Sequence, residues 1–235
     1  MQIADATILI TGANRGLGLE FARAALARGA RKVYAGARDP SRITLAGVTP
    51  LKLDVTSDEQ VAAAVRAAGD VTLVINNAGI AEFGGVLADD SIDAARRHME
   101  TNFLGMLRMS RAFAPVIAGN GGGAFLNVLS VASWISRPQL AVYATSKAAA
   151  WSLNNALRNE LHAQGIQVLG LHAGFIDTDM TRDIDAPKSR PEDIVAAGLD
   201  ALERGASEVA ADELSRQVRQ GLGLDPAIYL QAVAA

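Results

Sequence analysis

The sequence predicts an α/β protein built on one open, parallel sheet with helices on both faces. Three observations predict it. Short apolar runs of strand length alternate with helix-patterned segments from end to end. The first such run, residues 6–11, stops in a glycine-rich turn that opens directly into helical spacing. A later run, residues 71–75, is apolar at nearly every position, as a strand buried on both faces of a parallel sheet must be. A closed eight-stranded barrel is the architectural rival, but seven strands are visible and the first turn is rich in glycine, so the open sheet is favoured.

In order, the first strand ends in Thr11-Gly12-Ala13-Asn14-Arg15-Gly16-Leu17-Gly18, and Leu19, Phe21, Ala22, Ala25 and Leu26 then mark a helix. Glycines allow a tight turn and let backbone N–H groups approach a pyrophosphate, whose charge the helix N-terminus also favours. Gly12, Asn14, Arg15, Gly16, Leu17 and Gly18 are therefore candidate cofactor contacts, although the spacing is not G-x-G-x-x-G and a plain turn is the alternative. Gly29 caps the helix, and a second strand, residues 32–37, ends at Ala37-Arg38-Asp39. An acid at this strand end serves a ribose 2′-hydroxyl and an arginine a 2′-phosphate. Arg38, with Arg15 in the glycine turn, points to NADP(H), with NAD(H) possible if Asp39 does the ribose work; Asp39-Pro40-Ser41 reads instead as a turn.

A third strand, residues 51–53, runs into Asp54-Val55, and Ser57 with Gln60 forms a capping-box pattern for a helix to about residue 68. Asp54 sits at a carboxyl strand end, where open sheets bind ligands, and is either an adenine contact or a turn aspartate. The fourth strand, 71–75, ends in Asn76-Asn77-Ala78-Gly79. A long helix over 92–117 contains Asn102, with Pro115 expected to kink its end. The fifth strand, 124–129, delivers Ser130. The helix from Tyr143 stops at Gly165; a sixth strand, 166–171, leads to His172-Ala173-Gly174-Phe175-Ile176-Asp177-Thr178. A helix over 191–203 and a short strand at 208–210 complete the chain.

Tyr143 and Lys147 stand at i and i+4 on one helical face. A phenol of pKa about 10 exchanges protons poorly near neutrality. At roughly 4 Å and an effective dielectric of about 20, an ammonium would favour the phenolate by ~4 kcal/mol, ~3 pK units at most. Tyr143 would then titrate where a general acid/base works best. Taken alone, such a pair is more often an ordinary surface feature.

Composition narrows the partners. The 235 residues are 50% hydrophobic and carry a formal charge of −3 with acids and bases interspersed, which points to a small-molecule ligand and away from nucleic acid and anionic membrane. The absence of cysteine excludes disulfides and thiolate chemistry. The N-terminus has no basic start of a secretory signal and no apolar run is of membrane-spanning length, so a soluble cytoplasmic protein is expected.

Together, the Thr11–Gly18 turn, Asn76-Asn77-Ala78-Gly79, Asn102, Ser130 and Tyr143-x-x-x-Lys147, in this order and spacing, resemble the short-chain dehydrogenase/reductase family over nearly the whole chain. The resemblance implies a doubly wound Rossmann fold, one domain over residues 1–235 with a seven-stranded sheet of order 3-2-1-4-5-6-7. It implies a homodimer or homotetramer built partly through the helices at 92–117 and 143–164. It implies hydride transfer between nicotinamide and a carbonyl or carbinol carbon. Tyr143 would exchange the oxygen's proton, and Ser130 would hydrogen-bond that oxygen. Lys147 would depress the Tyr143 pKa and hold the nicotinamide ribose, while Asn102 would position a water linking Lys147 to solvent. Gly12, Gly16 and Gly18 would line the pyrophosphate, Asp54 and Val55 meet the adenine, and Asn76, Asn77, Ala78 and Gly79 border the adenosine. Gly174, Ile176 and Thr178 would lie on the nicotinamide side, with Thr178 at the carboxamide.

Two departures stand out. Ala173 replaces the proline usual before this glycine, removing a backbone restriction from the nicotinamide-side loop. The segment 181–191 is short for a substrate lid, which suggests an open site. Val131, Trp134, Leu140, Phe175 and Met180 are candidates for an apolar wall, with core packing the alternative for each. His98, His162 and His172 lack metal-ligand spacing and are assigned surface or packing roles, and no metal is expected. The expected activity is NADPH-preferring reduction of ketones or aldehydes, or oxidation of alcohols. A non-catalytic NADP(H) sensor is the alternative, disfavoured because a sensor needs no proton donor.

Overall fold

The computed structural model describes residues 1–231. Seven parallel strands form one sheet in the order β3-β2-β1-β4-β5-β6-β7. They are β1 (Thr7–Thr11), β2 (Lys32–Ala37), β3 (Thr49–Lys52), β4 (Leu73–Asn76), β5 (Gly123–Val128), β6 (Ile166–His172) and β7 (Glu208–Ala210). Helices α1 (Gly16–Ala27), α2 (Asp58–Ala67), α3 (Ser91–His98), α4 (Gly105–Gly119), α5 (Ala141–Leu161), α6 (Pro191–Glu203) and α7 (Glu213–Gly221) surround it.

Because side chains alternate along a strand, each central strand feeds two cores. Ile8, Ile10, Leu126, Leu169 and Leu171 pack on one face with Phe21 of α1 and Leu199 of α6. Leu9, Val74, Phe125 and Val168 pack on the other with Val61 of α2, Phe113 of α4 and Leu157 of α5. This is why the central strands read as continuously apolar. From β1 the chain winds outward to β2 and β3, then returns to place β4 on the opposite side of β1, which opens a crevice at the carboxyl ends of β1 and β4.

Most elements lie where the sequence predicts them, with ends shifted by one or two residues. The predicted Ser57 cap accepts from Gln60 N–H at 3.2 Å, while the Gln60 side chain accepts from Asp54 N–H at 3.0 Å, three residues before the Ser57 N–H that a capping box uses. The predicted helix over 92–117 is in fact α3, a π-helical turn over Met99–Leu104, and α4, which runs through Pro115 to Gly119. Helix α7 has no counterpart in the sequence reading. It is nine residues long and mostly charged or polar, and its apolar stripe within that length is only Leu214 and Val218 at i and i+4. Among the described residues, no helix is long and apolar enough to cross a membrane.

A row of buried amides crosses beneath the crevice. Asn76 Nδ2 donates to Asn127 Oδ1 at 2.8 Å, and Asn127 Nδ2 donates to Asn154 Oδ1 of α5 at 2.9 Å. Asn127 is fully buried, so its removal strands a donor on one side and an acceptor on the other. Asn127→Ala is expected to cost about 2 kcal/mol or more in urea unfolding. An unchanged midpoint would show that the row contributes nothing.

Candidate active site

The crevice continues into a cleft of about 910 Å³ that runs from the end of β2, across the glycine turn, to Ser130 and Tyr143. Its floor is made by the glycine turn. Gly12 has φ +68°, open to glycine at little cost, and a Cβ at Gly18 would lie 2.3 Å from the Gly12 carbonyl oxygen. The first turn of α1 thus packs directly on the turn that precedes it. Asn77 locks this arrangement: its Nδ2 donates to Thr11 O at 2.8 Å, its N–H donates to Thr11 Oγ1 at 3.0 Å, and Ala78 N–H donates to the same hydroxyl at 2.9 Å.

Gly12, Asn14, Arg15, Gly16, Leu17, Gly18, Arg38, Asp54, Val55, Asn77, Ala78 and Gly79 all line the cleft, as do Gly174, Ile176 and Thr178. Asn76 does not. As the last residue of β4 it points to the buried side, into the amide row, so its expected role beside the adenosine gives way to a structural one. At the far end Arg38 is exposed and forms no ion pair among the described residues. Asp39 is already engaged, accepting from Ser41 N–H at 3.1 Å and Ser41 Oγ at 2.6 Å, and these bonds hold its carboxyl below the usual range. Arg15 lies 3.5 Å from Asp179, and Arg42, unforeseen in the sequence, lines the same end.

At the other end, Ser130 follows β5 and Tyr143 occupies the first turn of α5. Ser130 Oγ accepts from Ala132 N–H at 3.1 Å and faces Ala173 O at 3.5 Å. Burial pushes the Tyr143 phenol above its ordinary value, opposed in part by its hydrogen bond with Ser130. Lys147 donates to Val128 O at 2.9 Å and lies 5.8 Å from the Tyr143 ring centroid, and burial pushes it down to about 8. The expected depression of Tyr143 by Lys147 is therefore corrected. The ammonium is tied to a strand carbonyl and is itself desolvated, so the attraction bounded from sequence is not realised here.

Asn102 lies on the π-helical turn and is buried, outside the main cleft. Its Oδ1 accepts from Ile80 N–H at 2.9 Å; its Nδ2 donates to Ile80 O at 3.0 Å and Ser146 Oγ at 2.9 Å. With Lys147, Asn76 and Thr11 it borders a second cavity of about 10 Å³, room for roughly one water. The extra residue of a π turn re-aims side chains locally, and here Asn102 is the one turned inward.

Val131, Leu140, Phe175 and Met180 line the apolar wall as expected, joined by Phe83, Ile135, Ile184 and Leu214. Phe83, Ile135 and Ile184 come from loops, which carry no periodic signal, and Leu214 from the short, mostly polar helix α7. Trp134 does not line the cleft: it is buried, stacked 3.8 Å from the His172 ring. His98 and His172 are likewise buried, His98 with Nδ1 2.7 Å from Ala94 O and His172 with Nδ1 2.9 Å from Ser130 O. Among the described residues no group of three metal-ligating side chains forms.

A strand-turn-helix crevice floored by glycines, with serine, tyrosine and lysine at one end, defines a dinucleotide-binding oxidoreductase. Comparison with known proteins assigns it further. The sequence profile described as short chain dehydrogenase matches residues 6–189, and the chain belongs to that family of NAD(P)-dependent oxidoreductases. It is 36% identical over 229 residues to a galactitol 2-dehydrogenase (L-tagatose-forming) of Cereibacter sphaeroides, covering 91% of this chain and 88% of that protein. It is 32% identical over 242 residues to an NADP-dependent 3-hydroxy acid dehydrogenase of Schizosaccharomyces pombe, covering 92% and 93% respectively. The match to oxidoreductase BOA17 of Botryotinia fuckeliana, 35% identical, covers 72% of this chain and 65% of that protein's length. A crystal structure of a short chain dehydrogenase from Burkholderia cenocepacia in complex with NADP superposes with a TM-score of 0.94 at 41% identity, covering 99% of this chain and 100% of that one.

The burial of Lys147 has a measurable consequence. Its folded pKa of about 8 lies below its ordinary 10.5, so between these values the unfolded chain binds the extra proton and stability rises with pH. Below pH 8 the folded protein carries the full penalty of burying the charge, about 3 kcal/mol at most. Lys147→Met is expected to stabilise the protein near pH 7, less whatever is lost at Val128 O. That advantage should narrow as pH rises from 8 to 10.5, read from urea unfolding of both proteins across the range.

Proposed function

We propose that this protein is an NADPH-preferring reductase of small ketones or aldehydes, able to oxidise the corresponding alcohols, with Tyr143 as general acid/base. The observation that carries the reading is the convergence of Ser130, Tyr143 and Lys147 on one cleft whose other end holds the glycine turn and an exposed Arg38. The floor fits a dinucleotide because Gly12 and Gly18, with no Cβ to strike Ala78, Asn77 or the Gly12 carbonyl, let the first turn of α1 close on the glycine turn at the cleft, the tight backbone a pyrophosphate needs. The adenosine end fits a 2′-phosphate, since Arg38 is exposed there while Asp39 already accepts from Ser41; Arg15, exposed but 3.5 Å from Asp179, stands at the neighbouring glycine turn. The relative of known NADP dependence and the NADP-bound neighbour support the same preference.

Bound NADPH supplies the hydride to the carbonyl carbon. Tyr143 donates its proton to the carbonyl oxygen as negative charge develops, so a ketone becomes a secondary alcohol and an aldehyde a primary one. Ser130 donates a hydrogen bond to the same oxygen and favours the charged state over the ground state. Burial that raises the Tyr143 pKa keeps the phenol protonated at neutral pH, which is the form reduction requires. Lys147, with a pKa of about 8, can return a proton to the tyrosinate, and a water beside Asn102 would connect it to solvent. The apolar wall of Val131, Leu140 and Phe175 suits an uncharged carbonyl compound and keeps the reacting oxygen away from bulk water.

Tyr143→Phe is expected to lower kcat/KM for carbonyl reduction by about a thousandfold or more while leaving NADPH affinity within a few-fold of wild type, measured by steady-state kinetics and cofactor titration. Wild-type protein that binds NADPH and turns over nothing across aldehydes, ketones and diketones would favour the sensor reading. Arg38→Ala is expected to raise KM for NADPH about tenfold and leave that for NADH little changed. Equal effects on both cofactors would remove Arg38 from the 2′-phosphate.

A further inference from the structure

The last part of the chain reaches the cleft through one carboxylate that no motif singles out. Asp212, 9% exposed, immediately precedes α7. Its Oδ1 accepts from Ser215 N–H at 2.8 Å and from Ser215 Oγ, which caps the helix. Its Oδ2 faces the opposite way and accepts from Gly174 N–H at 2.6 Å, with Ser189 Oγ at 3.4 Å. A cap needs one of these oxygens, and the second serves the cleft.

Gly174 and Ser189 are the two ends of a loop over residues 175–188 that carries Phe175, Ile176, Thr178, Met180 and Ile184 into the cleft wall. Its stems are paired, Ser189 N–H donating to Phe175 O at 2.8 Å and Asp177 N–H to Ser189 O at 2.9 Å. The loop closes against the glycine turn, with Thr178 Cγ2 3.5 Å from where a Cβ of Gly16 would stand. On the Gly174 side the main chain makes few bonds of its own: Ala173 N–H has no partner among the described residues, and Gly174 N–H is held by Asp212.

We propose that Asp212 is a positioning residue of the cofactor site, anchoring both stems of the 175–188 loop and so setting how that loop lies over the nicotinamide half of the cleft. The proposal rests on the reading of the cleft as the NADP(H) site. A carboxylate suits the task because four donors converge on it and it only accepts. Asparagine has the same shape but turns one acceptor into a donor, leaving two donors face to face on one side.

The test compares Asp212→Asn with Ser215→Ala, using hydrogen exchange of residues 175–188 in cofactor-free protein, NADPH titration and thermal unfolding. Asp212→Asn is expected to speed exchange in the loop and weaken NADPH binding, each about tenfold. Ser215→Ala, which loses only the hydroxyl on the cap side, is expected to lower Tm and leave both readouts near wild type. Adding Ala173→Pro to Asp212→Asn is expected to recover part of the loss, since proline restricts the loop at a position with no N–H bond to lose. Unchanged exchange and affinity in Asp212→Asn, or the same changes in Ser215→Ala, would reduce Asp212 to a helix cap. Should wild-type protein fail to bind NADPH, the cofactor reading falls, and loop exchange alone decides the anchor.

Discussion

The structure depends on the contact between β1 and the turn after β4. Here the winding of the sheet reverses, and the ladder between β1 and β4 ends at Ile10 and Ile75, so the segments beyond need other bonds. Asn77 and Ala78 supply them, with three hydrogen bonds to Thr11, each of about 3 Å. Those bonds hold the glycine turn against the sheet, with Ala13 N–H donating to Gly36 O of β2 at 2.9 Å on its other side. They also give a physical reason for the Asn-Asn-Ala-Gly sequence: the first asparagine enters the buried amide row, the second ties the turn, and the small residues after it leave the cleft open.

The Ser130 end of the cleft is governed by a conflict between burial and charge. Tyr143 and Lys147 are drawn into the same dry wall, and desolvation works against the ionised form of each, raising the phenol and lowering the amine. Their ordinary values, 10.0 and 10.5, nearly coincide; burial moves them apart, with Tyr143 above 10.0 and Lys147 at about 8, so a proton on Lys147 passes downhill to a tyrosinate. The arrangement is held by ordinary structural bonds. Lys147 is aimed by Val128 O, Ser130 by Ala132 N–H, and Asn102 by both main-chain groups of Ile80.

What could be read before folding was whatever depends on local spacing. Alternating apolar runs placed all seven strands, and Gly12, Gly16 and Gly18 marked the turn because positive φ and close packing leave few other residues able to occupy it. Tyr143 and Lys147 were legible because i and i+4 share a helix face. The π turn at Met99–Leu104 was not, since one extra residue in a helix leaves composition unchanged. Nor was α7, whose buried face is serine, valine and glycine. Asn76 and Trp134 were assigned to the cleft because they sit among residues that do line it; one strand position or one turn sent each to the other side.

The sequence by itself therefore determined the parallel sheet and the serine, tyrosine and lysine that share one end of the cleft, because each follows from residue type at a fixed local interval, and the motifs together carried the resemblance that implied the strand order. Tertiary structure alone decided the direction in which Tyr143 and Lys147 shift, the placing of Asn102 behind the cleft, the exposure of Arg38 beside an occupied Asp39, and the reach of Asp212 to Gly174. Each of these turns on how deeply a group is buried and which distant partner faces it, and neither quantity exists until segments remote in sequence have packed together.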